Sequence, residues 1–454
     1  MEYLDNYITE ISKLNLKSLK LDIIKDIPLN DIFIFGFKNY KKYFLNVKSD
    51  IYVNKSNNVD NLKNTMVNFY KEFVDNEASS QYNFIQDVNN IKNIYEVIIE
   101  QSKMFRFYVY SEDINYFSKI LHLFNVFTNY ALDNPEKYTG LHFSNFNTRK
   151  KFLPIYIYPN DIKRKLAGNI FFPDHLDIYK KTNEAFTTSG VTASGYYMYF
   201  SKKEELSKLQ LHELIHLYKL DGSCIKVTDS LKKIRNYMPF TDNNDELESV
   251  AELMSNIYNC MNLCLIISKD KNLTDQEELK LLSQLIYIEK EYSIFVVAKI
   301  LKYFNIQPHQ LFNFNKKKIK LVSPINLYYI MRSVIYSNFD DLFVEDNINP
   351  SGENILELNH HIFAKLKNYI NEASNPESLY MKKLYLYYEN LDMDNLSVSY
   401  IALDIDFDNI DFDNISVNDT NNYLIKQQGA ANLENYFDKY LKYKSKYLDL
   451  KEKF

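Results

Sequence analysis

Two histidines separated by three residues, with a glutamate directly after the first, stand at Leu211-His212-Glu213-Leu214-Ile215-His216-Leu217. On a helix, His212 and His216 leave one face a turn apart, so two neutral imidazole nitrogens can reach one cation. Nitrogen donors at this spacing suit zinc, one ion per chain. Glu213 leans toward the coordination position left open. There it can take the proton from a water attacking a carbonyl. The residue types and spacing therefore point to zinc-assisted hydrolysis.

A helix must carry this motif, and the flanking run 204–211 is helical in composition, with no Gly or Pro until Gly222. Leu206, Leu209, Leu214 and Leu217 supply apolar positions at helical spacing. Zinc also needs a third protein ligand. A second helical stretch, 245–254, opens on the capping cluster Asp242-Asn243-Asn244-Asp245. It places Glu248 and Glu252 one turn apart on one face. One carboxylate can bind zinc while the other accepts the N–H of a ligand histidine. Paired glutamates on a helix are ordinarily a solvated face. Their place after the first motif, beside the apolar side Leu247, Val250, Ala251 and Met254, favours the metal-binding alternative. The small Ala251 allows the two helices to pack closely.

His212-Glu213-Leu214-Ile215-His216 followed by Glu248-Ser249-Val250-Ala251-Glu252 resembles the gluzincin zinc metallopeptidases over roughly residues 180–265. The metzincin continuation would need Gly at 219 and His or Asp at 222, where this chain has Lys219 and Gly222. The gluzincin resemblance implies that His212, His216 and Glu248 are the ligands and Glu213 the general base. It implies that Glu252 is the carboxylate behind His212. It also implies a zincin-like catalytic domain, a small twisted sheet above the active-site helix. Strand 152–158 and a hairpin of 183–188 with 194–200 are its candidate strands. Asn183 and Ala185-Phe186 are similar to a gluzincin edge strand that holds substrate backbone by strand addition, with Glu184 inserted. Tyr237, shortly before the ligand helix, stands where some gluzincins carry an oxyanion donor; a packing role is its plain alternative. Arg332 has the chemistry to bind a substrate carboxylate or the oxyanion; its plain alternative is a surface arginine.

The composition fits an α+β, mostly helical chain. A net charge of −5 over 454 residues gives no push toward nucleic acid or an anionic membrane. The odd set Cys224, Cys260 and Cys264 suits a reducing compartment such as a host cytoplasm. The N-terminus lacks a basic segment followed by an apolar one, so no signal peptide is expected. No apolar run reaches the roughly 18 residues of a membrane span.

Five regions are expected. Residues 1–135 read as a mainly helical N-terminal domain, with strands at 31–36 and 43–47 and helices over 62–74, 84–108 and 114–130. His122 is assigned a structural role there. Residues 136–265 form the catalytic subdomain, and 266–391 a helical C-terminal subdomain with helices at 279–291, 294–304, 325–336, 355–373 and 379–391. Residues 392–428 read as an acidic, Asn-rich linker, in which Asp406–Ile410 repeats as Asp411–Ile415. Residues 429–454 form a docking helix with a heptad seam of tyrosines from Leu433 to Phe454. The segment 440–451 resembles a C-terminal signature of mimivirus-like giant-virus proteins. That resemblance implies a virion or self-association role for residues 433–454.

The expected function is a zinc metallopeptidase acting on a protein or peptide substrate. The alternative is a non-catalytic virion or assembly protein that retains a zincin fold.

Overall fold

A computed structural model describes residues 27–73, 88–102, 105–132, 153–159, 191–193, 196–201, 206–218, 238–241, 246–314, 319–320, 325–342, 355–390, 412 and 414–419. Asn30 opens the first helix by accepting a hydrogen bond from the Phe33 amide at 2.9 Å, with Asp31 in the first turn. Helix α1, Asp31–Asn46, buries Ile32, Phe33, Phe37, Tyr40 and Phe44. These recur every three or four residues, the period of a helix. One helix therefore stands where the sequence predicts two strands. Its aromatic content resembles a strand's, but the cap and the period prevail.

Strand β1, Ser49–Lys55, and helix α2, Val59–Phe73, come next. The helix expected over 84–108 gives way to strands β2, Tyr95–Ile99, and β3, Phe105–Val109. Phe105, Phe107 and Val109 are buried alternately, the period-two signature of a strand with one face on the core. Helix α3 is Ile114–Leu132, and β4, Leu153–Pro159, covers the strand expected at 152–158. Strands β5, Val191–Ala193, and β6, Tyr196–Ser201, form an antiparallel hairpin. The other hairpin arm expected, 183–188, lies outside the described residues.

Helix α4, Leu206–Leu217, carries the histidines. Beyond the short strand β7, Phe240–Thr241, helix α5 runs over Glu246–Lys271. Helix α6, Asp275–Tyr303, opens on a capping box between Thr274 and Glu277 and merges the helices expected at 279–291 and 294–304. The rest comprises β8, Ile319–Lys320; α7, Ile325–Ser337; α8, Phe339–Leu342; α9, Ile355–Ser374; α10, Leu379–Asn390; and β9, Ile415–Asp419.

The chain is thus mostly helical α+β, with a mixed sheet in the order β5-β6-β4-β3-β2-β1-β9. Helices α3 and α4 lie on one face of it. Leu62 and Met66 of α2 pack with Tyr110, Tyr156 and Tyr158 in a separate cluster. Among the described residues a continuous core runs from Ile27 to Phe412. It crosses the expected boundaries at 135 and 265, and α5 spans the second without a break.

Two expectations change. The 392–428 stretch is more than a linker, because β9 pairs in parallel with β1, Ser49 opposite Ile415. Phe412 enters the core against Phe44 and His122, at ring-centroid distances of 6.4 and 5.5 Å. The alternation Ile415-Ser416-Val417-Asn418 carries the strand signal, which the acidic, Asn-rich composition masked in the linker reading. Segment 249–271 of α5 is also long and apolar enough to cross a bilayer, although interspersed Ser and Asn break any continuous run. Here it is a core helix, buried from Ser249 to Ser268, with Asp270 and Lys271 exposed at its end.

Candidate metal centre

Helix α4 is fixed from behind before its histidines do anything. Gln210 donates to the Ile120 carbonyl at 3.0 Å, and Tyr218 donates to the Thr128 hydroxyl at 3.1 Å. Both partners lie on α3. Ser207 donates to the Asn259 carbonyl oxygen on α5 at 3.2 Å. Leu206, Leu209, Leu211, Leu214 and Ile215 fill the core around it. The opposite stripe, every fourth residue, is polar: Lys208, His212 and His216.

His212 and His216 converge, their rings within hydrogen-bonding distance. Their Nε2 atoms are 3.1 Å apart. Two Zn–N bonds of about 2.0–2.1 Å at a tetrahedral angle place the nitrogens roughly 3.3 Å from each other. Nδ1 of His212 faces the other way, 3.4 Å from Oε1 of Glu252 on α5. A carboxylate on that side favours the tautomer whose Nε2 is free to bind metal. Glu213 is buried, 5% exposed.

Glu252 is the centre of a buried charge cluster. Nζ of Lys208 lies 2.6 Å from both of its carboxylate oxygens, and Nη1 of Arg332 lies 3.2 Å from Oε2. Burial alone would raise the pKa of Glu252. The charges of Lys208, His212 and Arg332 outweigh it and bring the group down to about 2. Arg332, on α7, is fully buried and stacks over the Tyr329 ring, 4.6 Å from its centroid.

The other expected residues fall as follows. Glu248 sits on α5 one turn before Glu252, but its side chain lies outside the described residues, as do Tyr237, Ala185 and Phe186. Among the described residues, no three His, Cys, Asp or Glu side chains gather in a metal-holding group. Arg332 is buried rather than a surface residue, and its Nη1 pairs with Glu252. His122 is buried and bonded to the Ser49 hydroxyl at 2.8 Å, a structural arrangement. Cys260 and Cys264 are buried free thiols. Lys208 was missed by sequence reasoning. Its signal was the 208/212/216 stripe, which puts a lysine on the histidine face of a helix otherwise turned to the core.

The chain is 24% identical over 317 residues to a protein of Acanthamoeba polyphaga mimivirus named only as uncharacterised. The match covers 64% of this chain and 79% of the relative. That similarity accords with the giant-virus signature in the tail. No protein-family model and no solved structure matches the chain.

Proposed function

We propose that this chain is a zinc-dependent peptidase of the gluzincin type. One observation carries the reading: Nε2 of His212 and Nε2 of His216 converge at 3.1 Å on a helix pinned from behind, with Glu213 between them in sequence. His212 and His216 would hold the ion, with Glu248 as the third ligand. Bound zinc supplies a polarised carbonyl and a water of lowered pKa. Glu213 accepts the proton of the attacking water and passes it to the leaving amine. Glu252, whose Oε1 lies 3.4 Å from Nδ1 of His212, would orient that ring from behind.

A peptide substrate has a natural place to lie. Helix α4 runs against β5 and β6, and β5 is an outermost strand of the sheet. An extended peptide added along β5 would pass beside the histidine helix. The similarity to a mimivirus protein suits action in an infected host's cytoplasm or a virion.

Metal content tests the reading, with wild type measured beside His216→Ala. One zinc per chain, lost in the variant, is expected, and peptide libraries then seek cleavage with Glu213→Gln as the inactive control. Zinc bound without hydrolysis of any library would move the chain to the alternative, a virion or assembly protein keeping a zincin fold.

A further inference from the structure

We propose that Lys208 and Arg332 are positioning residues of the metal centre, a two-cation clamp that holds Glu252 behind His212 and keeps it out of the metal's coordination sphere. The inference rests on the zinc reading above and deepens it.

The geometry favours this over a simple structural ion pair. Glu252 meets two cations from two different helices, and one of them, Arg332, also feels the charge of the buried Glu289. Lys208 engages both carboxylate oxygens at 2.6 Å, which fixes the rotation of the carboxylate plane as well as its position. Lys208 also stands on the same stripe of α4 as His212, so clamp and ligand move as one body. Arg332 contributes from α7. Its Nε and Nη2 make no hydrogen bond among the described residues, while Nη1 is bonded to Glu252. A fully buried guanidinium directed at one carboxylate oxygen is a costly arrangement to keep for packing alone, because an apolar side chain of similar volume would pack there with no ionic desolvation.

The clamp also separates the roles of two similar residues. Glu248 and Glu252 are one turn apart on α5. A carboxylate held by two cations cannot swing to a metal without breaking both contacts, so the clamp takes Glu252 out of the candidate ligands.

Zinc itself is the probe. The full-length chain, freed of metal by chelator dialysis, is titrated with zinc in competition with a chromophoric chelator. Lys208→Met and Arg332→Met should each weaken binding about 10- to 100-fold, the usual effect of losing a group behind a metal ligand. Lys208→Arg should restore most of it, and Lys208→Met should add nothing in a Glu252→Gln background. Wild-type affinity in both methionine variants, with native circular dichroism, would overturn the clamp. So would full additivity with Glu252→Gln. Should Lys208→Met fail to fold, the double variant with Glu252→Gln removes both charges together. Zinc binding as weak as in Glu252→Gln alone supports the clamp, and wild-type affinity overturns it. His216→Ala is the separate control: undiminished zinc binding there would reject the metal reading itself, whatever the clamp variants do.

Discussion

Nδ1 of His212 lies 3.4 Å from Oε1 of Glu252, while Nε2 of the same ring lies 3.1 Å from Nε2 of His216. The ring is thus addressed from both sides, by a carboxylate on one nitrogen and by the second histidine's nitrogen at the other. That division of labour makes the centre testable residue by residue.

Glu213→Gln should keep zinc and lose turnover. The amide occupies the same volume but takes no proton from water. The loss expected for removing a general base is about 10²- to 10⁴-fold. Metal analysis of the variant beside a peptide-cleavage assay checks it; turnover at the wild-type rate would remove Glu213 from the mechanism.

Glu248→Ala should lose zinc, and Glu246→Ala should retain it. Both lie in the first turn of α5, so their effects on the helix itself are similar. Metal content after gel filtration separates them, and the reverse result would reassign the third ligand.

Stability should fall on mild acidification through His122. Burial, and next the nearby charge of Lys269, lower this histidine from 6.5 to about 4. The folded state therefore resists a proton that the unfolded chain accepts. Between about pH 6.5 and pH 4 the unfolded chain binds more protons, so stability decreases as pH falls through that window. The full difference is on the order of 3 kcal/mol below the lower value. Urea unfolding at pH 7 and pH 5.5 should show the loss in wild type and a smaller one in His122→Gln.

Phe412→Ala should destabilise the chain by about 3–5 kcal/mol, as for other buried aromatic residues. Phe412 is 6% exposed and packs on Phe44 and His122. An unchanged urea midpoint would return the segment around it to the linker it resembles in sequence.

The helices with a plain 3.6-residue period, such as α3, α4 and α9, were legible, and so was the histidine pair, because both depend on spacing along one element. The errors have a common origin. Residues 31–46 and 95–109 are rich in aromatic and β-branched side chains, which either structure can bury. The helical period together with the cap at Asn30 decided the first, and strand pairing, with each other and outward to β1 and β4, decided the second. Arg332 was visible as a rare cation but not as the partner of Glu252, since that contact joins α7 to α5 across 80 residues. Phe412 and β9 were hidden for the same reason: the pairing of Ser49 with Ile415 exists only after the intervening chain has folded.

That last pairing has a consequence for the order of events on the ribosome. Until residues beyond 412 emerge, β1 is the exposed rim of an unfinished sheet, able to pair with another nascent chain. Strand β9 then becomes the outermost strand on that side, so β1 is covered only once a segment far downstream of it has been made.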